Sequence, residues 1–192
     1  MGKALSVRRI AFGSLGALVL VYATLVGFRA VYPMHFNDRI LSVSGDYALD
    51  PAMVAAVVRW ESGFRSDAVS PRGAIGLMQI LPETGRWIAE QLGMLPFAVE
   101  QLYDPRINLQ FGAWYLRTLL DRFGHLEDAL AAYNAGPSRL ERWRKTGEAP
   151  FPETAEYIDR VRRAIPIYRI VLRLSWLYAI VPPLSIEPNR GR

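Results

Sequence analysis

The chain contains no cysteine and only two histidines, His35 and His125, in 192 residues. Without cysteine there can be no disulfide, no Cys-His dyad and no lipid-modified cysteine anchor, and two histidines so far apart in sequence do not make a zinc site. No glycine-rich phosphate loop follows a strand pattern, so nucleotide chemistry has no foothold. Internal repeats, low-complexity tracts and long Gly/Ser linkers are also missing, which leaves one ordinary domain after the N-terminal segment. The sequence therefore predicts no cofactor and no metal.

Charge of one sign is scarce where a nucleic-acid partner would need it. The net charge is +5, but Lys3, Arg8, Arg9 and Arg29 all precede residue 31 with no acid among them. Residues 31–138 hold 8 basic and 12 acidic groups, and residues 139–192 hold 11 and 6. That distribution argues against nucleic acid. The basic last third is either a solvated face of amphipathic helices or an attraction for anionic polymers and lipid head groups.

One long apolar run is present. Ile10 to Phe28 is 19 residues without a charge, enough to cross a hydrocarbon core of roughly 30 Å as a helix. Lys3, Arg8 and Arg9 come before it, which puts the tip in the cytoplasm and the rest of the chain outside. A cleaved signal peptide is the rival, but its apolar core is shorter, and Phe28-Arg29-Ala30 is a poor cleavage site. The expected organisation is a basic tip and signal-anchor helix in residues 1–30, a domain in residues 31–173 and an apolar tail in residues 174–192.

Within the domain the most informative residue is Glu61. Asp50 reads as a helix N-cap, Pro51 as the first helical position and Gly63 as the left-handed stop, so Glu61 falls in the last turn. Val58, Val57 and Val54 lie 3, 4 and 7 residues before it, on the stripe such a helix buries. Desolvation and the negative end of the helix both disfavour a carboxylate there, which suits Glu61 to donate a proton. An ordinary surface glutamate at a frayed helix end is the alternative.

Two further segments stand out. Ser70 to Gln79 puts Gly73 and Gly76 ahead of a polar amide in an apolar run, where glycine permits tight turning and close backbone approach. Gln79 is then either a buried amide serving the local backbone or a contact in a groove. Ala132-Tyr133-Asn134-Ala135-Gly136 is the second; Tyr133 could equally fill a helix interface, and Asn134 to Pro137 also reads as a helix stop.

Taken together, Glu61-Ser62, Gly76-Leu77-Met78-Gln79, Ala132 to Gly136, and Glu153-Thr154 with Tyr157-Ile158 resemble the four ordered motifs of the family 1 lytic transglycosylases. That family has a goose-type-lysozyme-like catalytic domain of the soluble-transglycosylase type, and the resemblance covers about Phe36 to Tyr168. It implies Glu61 as acid and base, with Ser62 supporting the helix end and Ser70 and Gln79 contacting sugar. Tyr133 would hold the glutamate or the substrate, Asn134 would belong to the same binding wall, and Glu153 would close the far side of the cleft beside Tyr157. Leu81 is a departure, because many members carry a methionine there that lines the sugar groove.

The implied reaction cleaves the β-1,4 bond between N-acetylmuramic acid and N-acetylglucosamine in peptidoglycan without consuming water, leaving 1,6-anhydromuramyl ends. Asp67, in the polar Arg65-Ser66-Asp67 segment, reads as a solvated turn residue; facing the cleft, it would favour lysozyme-like hydrolysis instead. A noncatalytic glycan-binding protein of the envelope is a third reading. The expected partners are glycan strands and the bacterial cell membrane, with cell-wall or secretion machinery unspecified.

The expected fold is all-α or α-dominated and lysozyme-like, with at most a small hairpin at Ala68 to Ile80. Helices are expected at Pro82 to Leu92, from Asp104-Pro105 to Gly124, at Leu126 to Tyr133, at Ser138 to Thr146 and from Glu153 onward. Trp114, Tyr115 and Leu119 read as core. The apolar stretch Ile167 to Val181, bracketed by Pro166 and Pro182, is either packed on the domain or laid on the membrane with Trp176 and Tyr178 at headgroup level; its crowding of apolar residues on every side favours the membrane.

Overall fold

A computed structural model describes the backbone of residues 2–175 and the side chains of residues 16–175. Its elements in chain order are α1 (Gly2–Val31), α2 (Asn37–Asp46), α3 (Pro51–Glu61), α4 (Pro82–Gln91), a 3-10 turn at Val99–Tyr103, α5 (Pro105–Phe123), α6 (Leu126–Ala135), α7 (Pro137–Thr146) and α8 (Pro152–Arg173). Met34–Leu172 forms one compact unit, and α1 belongs to another that includes Met1–Pro33.

Helix starts follow the local chemistry. The Asp50 carboxylate accepts the Ala52 N–H at 2.9 Å and Asp104 accepts that of Arg106 at 2.8 Å, each followed by proline at the first helical position. Gly124 ends α5 in the left-handed region at φ 78°. The second Asp50 oxygen receives two hydrogen bonds from Arg169, at 2.9 and 2.7 Å, so one side chain both caps α3 and ties α8 to it.

Helix α5 is central, packing against α2, α4 and α6. Leu109, Phe111, Ala113 and Leu116 are all fully buried, and large apolar side chains each contribute roughly 1.5–3 kcal/mol on burial. In α3 every residue from Ala52 to Val58 is buried, a wider apolar surface than the single stripe expected from periodicity. The expected hairpin region holds two isolated bridges, Val69 with Ile75 and Ile75 with Ile80, and no strand is assigned among the described residues.

Three expectations need correction. Trp114 and Tyr115 are half-buried, in contrast to Leu119, which is core. Helix α2 was not anticipated, because its N-cap position is Phe36, at φ 60° and with no capping side chain, in place of a polar cap signal. Pro166 does not end a helix: α8 continues through it to Arg173, with Tyr168 and Val171 buried and the Tyr168 ring 6.0 Å from Phe64. Burying those two side chains compensates for the backbone hydrogen bond that proline removes. Residues 167–172 therefore pack on the domain, against the membrane-surface reading for that part; Trp176 and Tyr178 lie outside the described residues.

Among the described residues no helix is long and apolar enough to cross a membrane. Of the expected span Ile10 to Phe28, residues 10–15 fall outside the described side chains, although the α1 backbone is helical from Gly2 to Val31.

Candidate active site

Glu61 closes α3, and the chain then turns through Ser62 and Gly63 at φ 61°. Surrounding protein desolvates its carboxyl and lifts the pKa from the ordinary 4.5 to about 7, opposed by the Tyr157 hydroxyl, which favours the carboxylate. The side chain keeps partial solvent contact despite the density of atoms around it. Near neutral pH it is therefore divided between acid and base.

Two phenols lie near this carboxyl, Tyr157 buried and Tyr133 half-buried on the wall of a cavity. Burial, then the nearby Glu61 charge, pushes the Tyr133 and Tyr157 hydroxyls well above their usual pKa, so both remain neutral donors. The Tyr133 hydroxyl donates to the Met78 carbonyl at 2.7 Å. The Tyr157 hydroxyl, on a side chain 8% exposed, influences Glu61 but meets no partner at full hydrogen-bond geometry. Among the described residues no second carboxylate shifts the Glu61 pKa.

The loop ahead of α4 is held from below. Asn108 of α5 is fully buried; its side-chain oxygen accepts the Met78 N–H at 2.7 Å, and its amide donates to the Ile75 and Leu102 carbonyls, each at 2.8 Å. Gly76, at φ 81°, lies so close that an added Cβ would overlap the Asn108 amide and come within 2.5 Å of the Leu102 oxygen. The Ser62 hydroxyl completes the scaffold, donating to the Leu77 carbonyl at 2.9 Å and weakly to Val58 at 3.3 Å.

A cavity of about 530 Å³ opens over this loop, lined by Gln79, Leu81, Thr84, Tyr115, Tyr133 and Asn134, with Arg72, Ser138 and Arg139 among the remaining wall residues. A smaller one of about 270 Å³ shares Arg72, Asn134, Ala135 and Arg139 and adds Phe151, Glu153 and Thr154. Glu61 is not itself a wall residue; its connection to the cavity is Tyr133.

The residues expected from sequence thus separate by position. Gln79, Leu81, Tyr133 and Asn134 line the larger cavity, and Glu153 lines the smaller. Gln79 sits at φ 50° with its amide donating to the Gly76 and Ala68 carbonyls at 2.9 and 3.2 Å, which orients it from its own loop. The Asn134 side-chain oxygen accepts from the Thr154 hydroxyl at 2.9 Å, joining α6 to the start of α8. Ser62 is 4% exposed with its hydroxyl committed, a geometry of helix-end support and not of sugar contact. Ser70 accepts the Ala74 N–H at 3.0 Å within its turn and is absent from the cavity walls, where Arg72 appears instead. Asp67 is exposed and lines neither cavity.

Sequence reasoning missed Asn108, although a polar residue 3, 4 and 7 positions before Phe111, Gly112 and Tyr115 was a usable signal. It also missed Arg72, Thr84, Ser138 and Arg139. Among the described residues no cluster of three or more His, Cys, Asp or Glu is placed to hold a metal ion.

Against known proteins, residues 39–153 match the family model described as the transglycosylase SLT domain. The chain belongs to this family. The soluble lytic murein transglycosylase of Escherichia coli K12 is 29% identical over 179 residues, covering 84% of this chain and 28% of its own. The transglycosylase of Enterobacteria phage PRD1 is 40% identical over 113 residues, 59% of this chain and 39% of its own. The crystal structure of the 70 kDa soluble lytic transglycosylase from E. coli superposes with a TM-score of 0.71 at 28% identity, covering 85% of this chain and 29% of that one. This SLT-domain chain thus spans between about a quarter and two fifths of its relatives' length. Its helix-dominated fold is the lysozyme-like one of the family. Other matched proteins are named membrane-bound lytic murein transglycosylases.

Proposed function

We propose that this chain is a peptidoglycan lytic transglycosylase that cleaves the β-1,4 bond between N-acetylmuramic acid and N-acetylglucosamine and leaves 1,6-anhydromuramyl ends. The observation that carries this reading is the half-buried carboxyl of Glu61, desolvated until its pKa is lifted to about 7, with no second carboxylate among the described residues shifting it. A glycosidase that forms a covalent intermediate needs a nucleophile about 5–5.5 Å from its acid, whereas substrate-assisted cleavage dispenses with it. Protonated Glu61 gives its proton to the bridging oxygen as the C1–O bond breaks. The sugar's own acetamido group supports the developing positive centre. The 6-hydroxyl of the same muramyl residue then bonds to C1 and returns its proton to the Glu61 carboxylate, so no water is consumed.

In this reading Tyr133, whose hydroxyl is held by the Met78 carbonyl, stands between the carboxyl and the groove, Tyr157 biases the carboxyl toward its charged form, and Gln79, Leu81, Asn134 and Glu153 bound the glycan groove. Mass spectrometry of peptidoglycan digested by the full-length chain tests it. Muramyl products lighter by one water, absent with Glu61→Gln, are expected. Reducing ends would mean hydrolysis as in a lysozyme, and sugar binding without release and indifferent to Glu61→Gln would mean a noncatalytic binding protein.

We further infer that α1 is a single-pass signal anchor holding the domain of residues 31–173 on the extracytoplasmic side of the cell membrane. The uncharged run Ile10 to Phe28 behind Lys3, Arg8 and Arg9 supports this. After an alkaline wash of membranes, the full chain should stay in the pellet; its complete release would overturn the anchor.

A further inference from the structure

Arginines in this domain are mostly neutralised by acids, as Arg122 is by Glu141 at 2.6 Å, Arg144 by Asp128 at 2.6 Å and Arg169 by Asp50 at 2.7 Å. Arg72 and Arg139 take part in no ion pair among the described residues, and both line the 530 Å³ and the 270 Å³ cavities. The two side chains therefore stand where those cavities adjoin.

Each is presented by an ordered piece of backbone. Arg72 is at the tip of a turn closed by the Gly73 N–H to the Ser70 carbonyl at 2.8 Å and the Ser70 N–H to the Ala74 carbonyl at 2.9 Å. Arg139 lies in the first turn of α7, its guanidinium 5.8 Å from the Phe151 ring centroid and donating to the Ala135 carbonyl at 3.3 Å. The start of α7 has no side-chain cap and opens on the larger cavity through Pro137 and Ser138, adding positive potential. Among the described residues the one acid on these walls is Glu153, which lies outside ion-pair distance of both arginines. The described walls thus carry two guanidiniums and one carboxylate, a net positive balance.

N-acetylglucosamine carries no charge, and N-acetylmuramic acid carries none once its lactyl carboxyl is amide-linked to a peptide, so neither ring then gives a guanidinium anything to neutralise. On a glycan strand bearing peptides, the anionic groups are the peptide carboxylates, which a guanidinium fork matches in geometry. We propose that Arg72 and Arg139 form a carboxylate subsite beside the glycan groove, which selects strands carrying acidic peptide substituents. The proposal rests on the function inferred above, since it assumes that the groove takes glycan.

The test measures binding, so it does not depend on turnover. The full-length chain carrying Glu61→Gln is titrated calorimetrically with soluble peptide-bearing glycan fragments, and with the same fragments after their carboxylates are converted to neutral methylamides. Tighter binding of the native fragments by about tenfold or more is expected. Adding Arg72→Gln and Arg139→Gln should bring the ratio within about twofold, and raising the salt should shrink it in the parent. Equal affinity of the parent for both fragments, no binding of either, or an equal loss on both in the arginine variant would overturn the subsite. Both arginines are exposed, so an unchanged melting temperature separates lost binding from lost fold. Failure of the chemical reading would appear elsewhere, as absent anhydro ends from the unmodified chain.

Discussion

Replacing Glu61 by glutamine should make the protein more stable at alkaline pH while abolishing strand cleavage. The native state holds the Glu61 proton to about pH 7, whereas the unfolded chain releases it near 4.5. Below pH 4.5 both states are protonated and the group is neutral in its effect. As pH rises from 4.5 toward 7 the unfolded state alone gains by ionising, so stability falls, and the loss is complete above the folded pKa. At about 1.36 kcal/mol per pH unit, the interval from 4.5 to about 7 corresponds to a ceiling of about 3 kcal/mol. Partial solvent contact reduces this to roughly 2 kcal/mol. Glutamine has nearly the same shape and never ionises, which removes the pH dependence without opening a cavity. Thermal unfolding of both proteins from pH 4 to 8.5 should give midpoints close together at the acid end. At pH 8 the variant should melt higher, by about 4 °C or more. A difference between the two that stays constant across this range would refute the buried, proton-holding acid. The same titration governs chemistry, since the fraction of Glu61 able to donate declines through pH 7 and kcat/KM should decline with it.

The remaining predictions concern the residues that hold this acid and its loop. Tyr157→Phe removes a hydroxyl that favours the Glu61 carboxylate, so the alkaline limb of the kcat/KM profile should move to higher pH; a limb moving lower would contradict that direction. At pH 5, where Glu61 is protonated and the hydroxyl has no fully formed hydrogen bond to lose, the same variant should match the parent in urea unfolding or gain up to about 1 kcal/mol. Asn108→Ala strands the Met78 N–H and the Ile75 and Leu102 carbonyls in a buried site and should cost about 3–5 kcal/mol, read as a lowered urea midpoint. Gly76→Ala forces a side chain into positive φ and into Asn108, and a loss of about 3 kcal/mol is expected; a melting temperature within a degree of the parent would show that the loop gives way easily.

How much of this was legible beforehand depended on whether the determining chemistry was local. Asp50-Pro51 and Asp104-Pro105 announce helix starts because the cap, the fixed φ and the first hydrogen bonds all lie within three residues. Glu61 was half legible in this way: its phase with Val54, Val57 and Val58 left an ordinary surface glutamate open, and the company of the other ordered motifs singled it out. Helix α2 escaped because its entry is set by packing of Ile40 and Val43, with Phe36 in a conformation that no local rule selects. Pro166 misled for the opposite reason: a strong local rule was overridden by the burial of Tyr168 and Val171, whose partners are distant in sequence. In the candidate site, the motif residues on the cavity wall were identifiable, but the division of labour among them was not. The resemblance already implied that Ser62 supports the helix end, but nothing in the order Glu61-Ser62 names Leu77 as its partner, and nothing in Ser70 to Gln79 says that Arg72, not Ser70, reaches the cavity. The Asn108 network is the sharpest case, because its three hydrogen bonds join residues 6, 30 and 33 positions away in the chain. A mid-helix asparagine carries a small propensity cost on its own, and it becomes a supporting residue only once the chain has brought Ile75, Met78 and Leu102 to its amide.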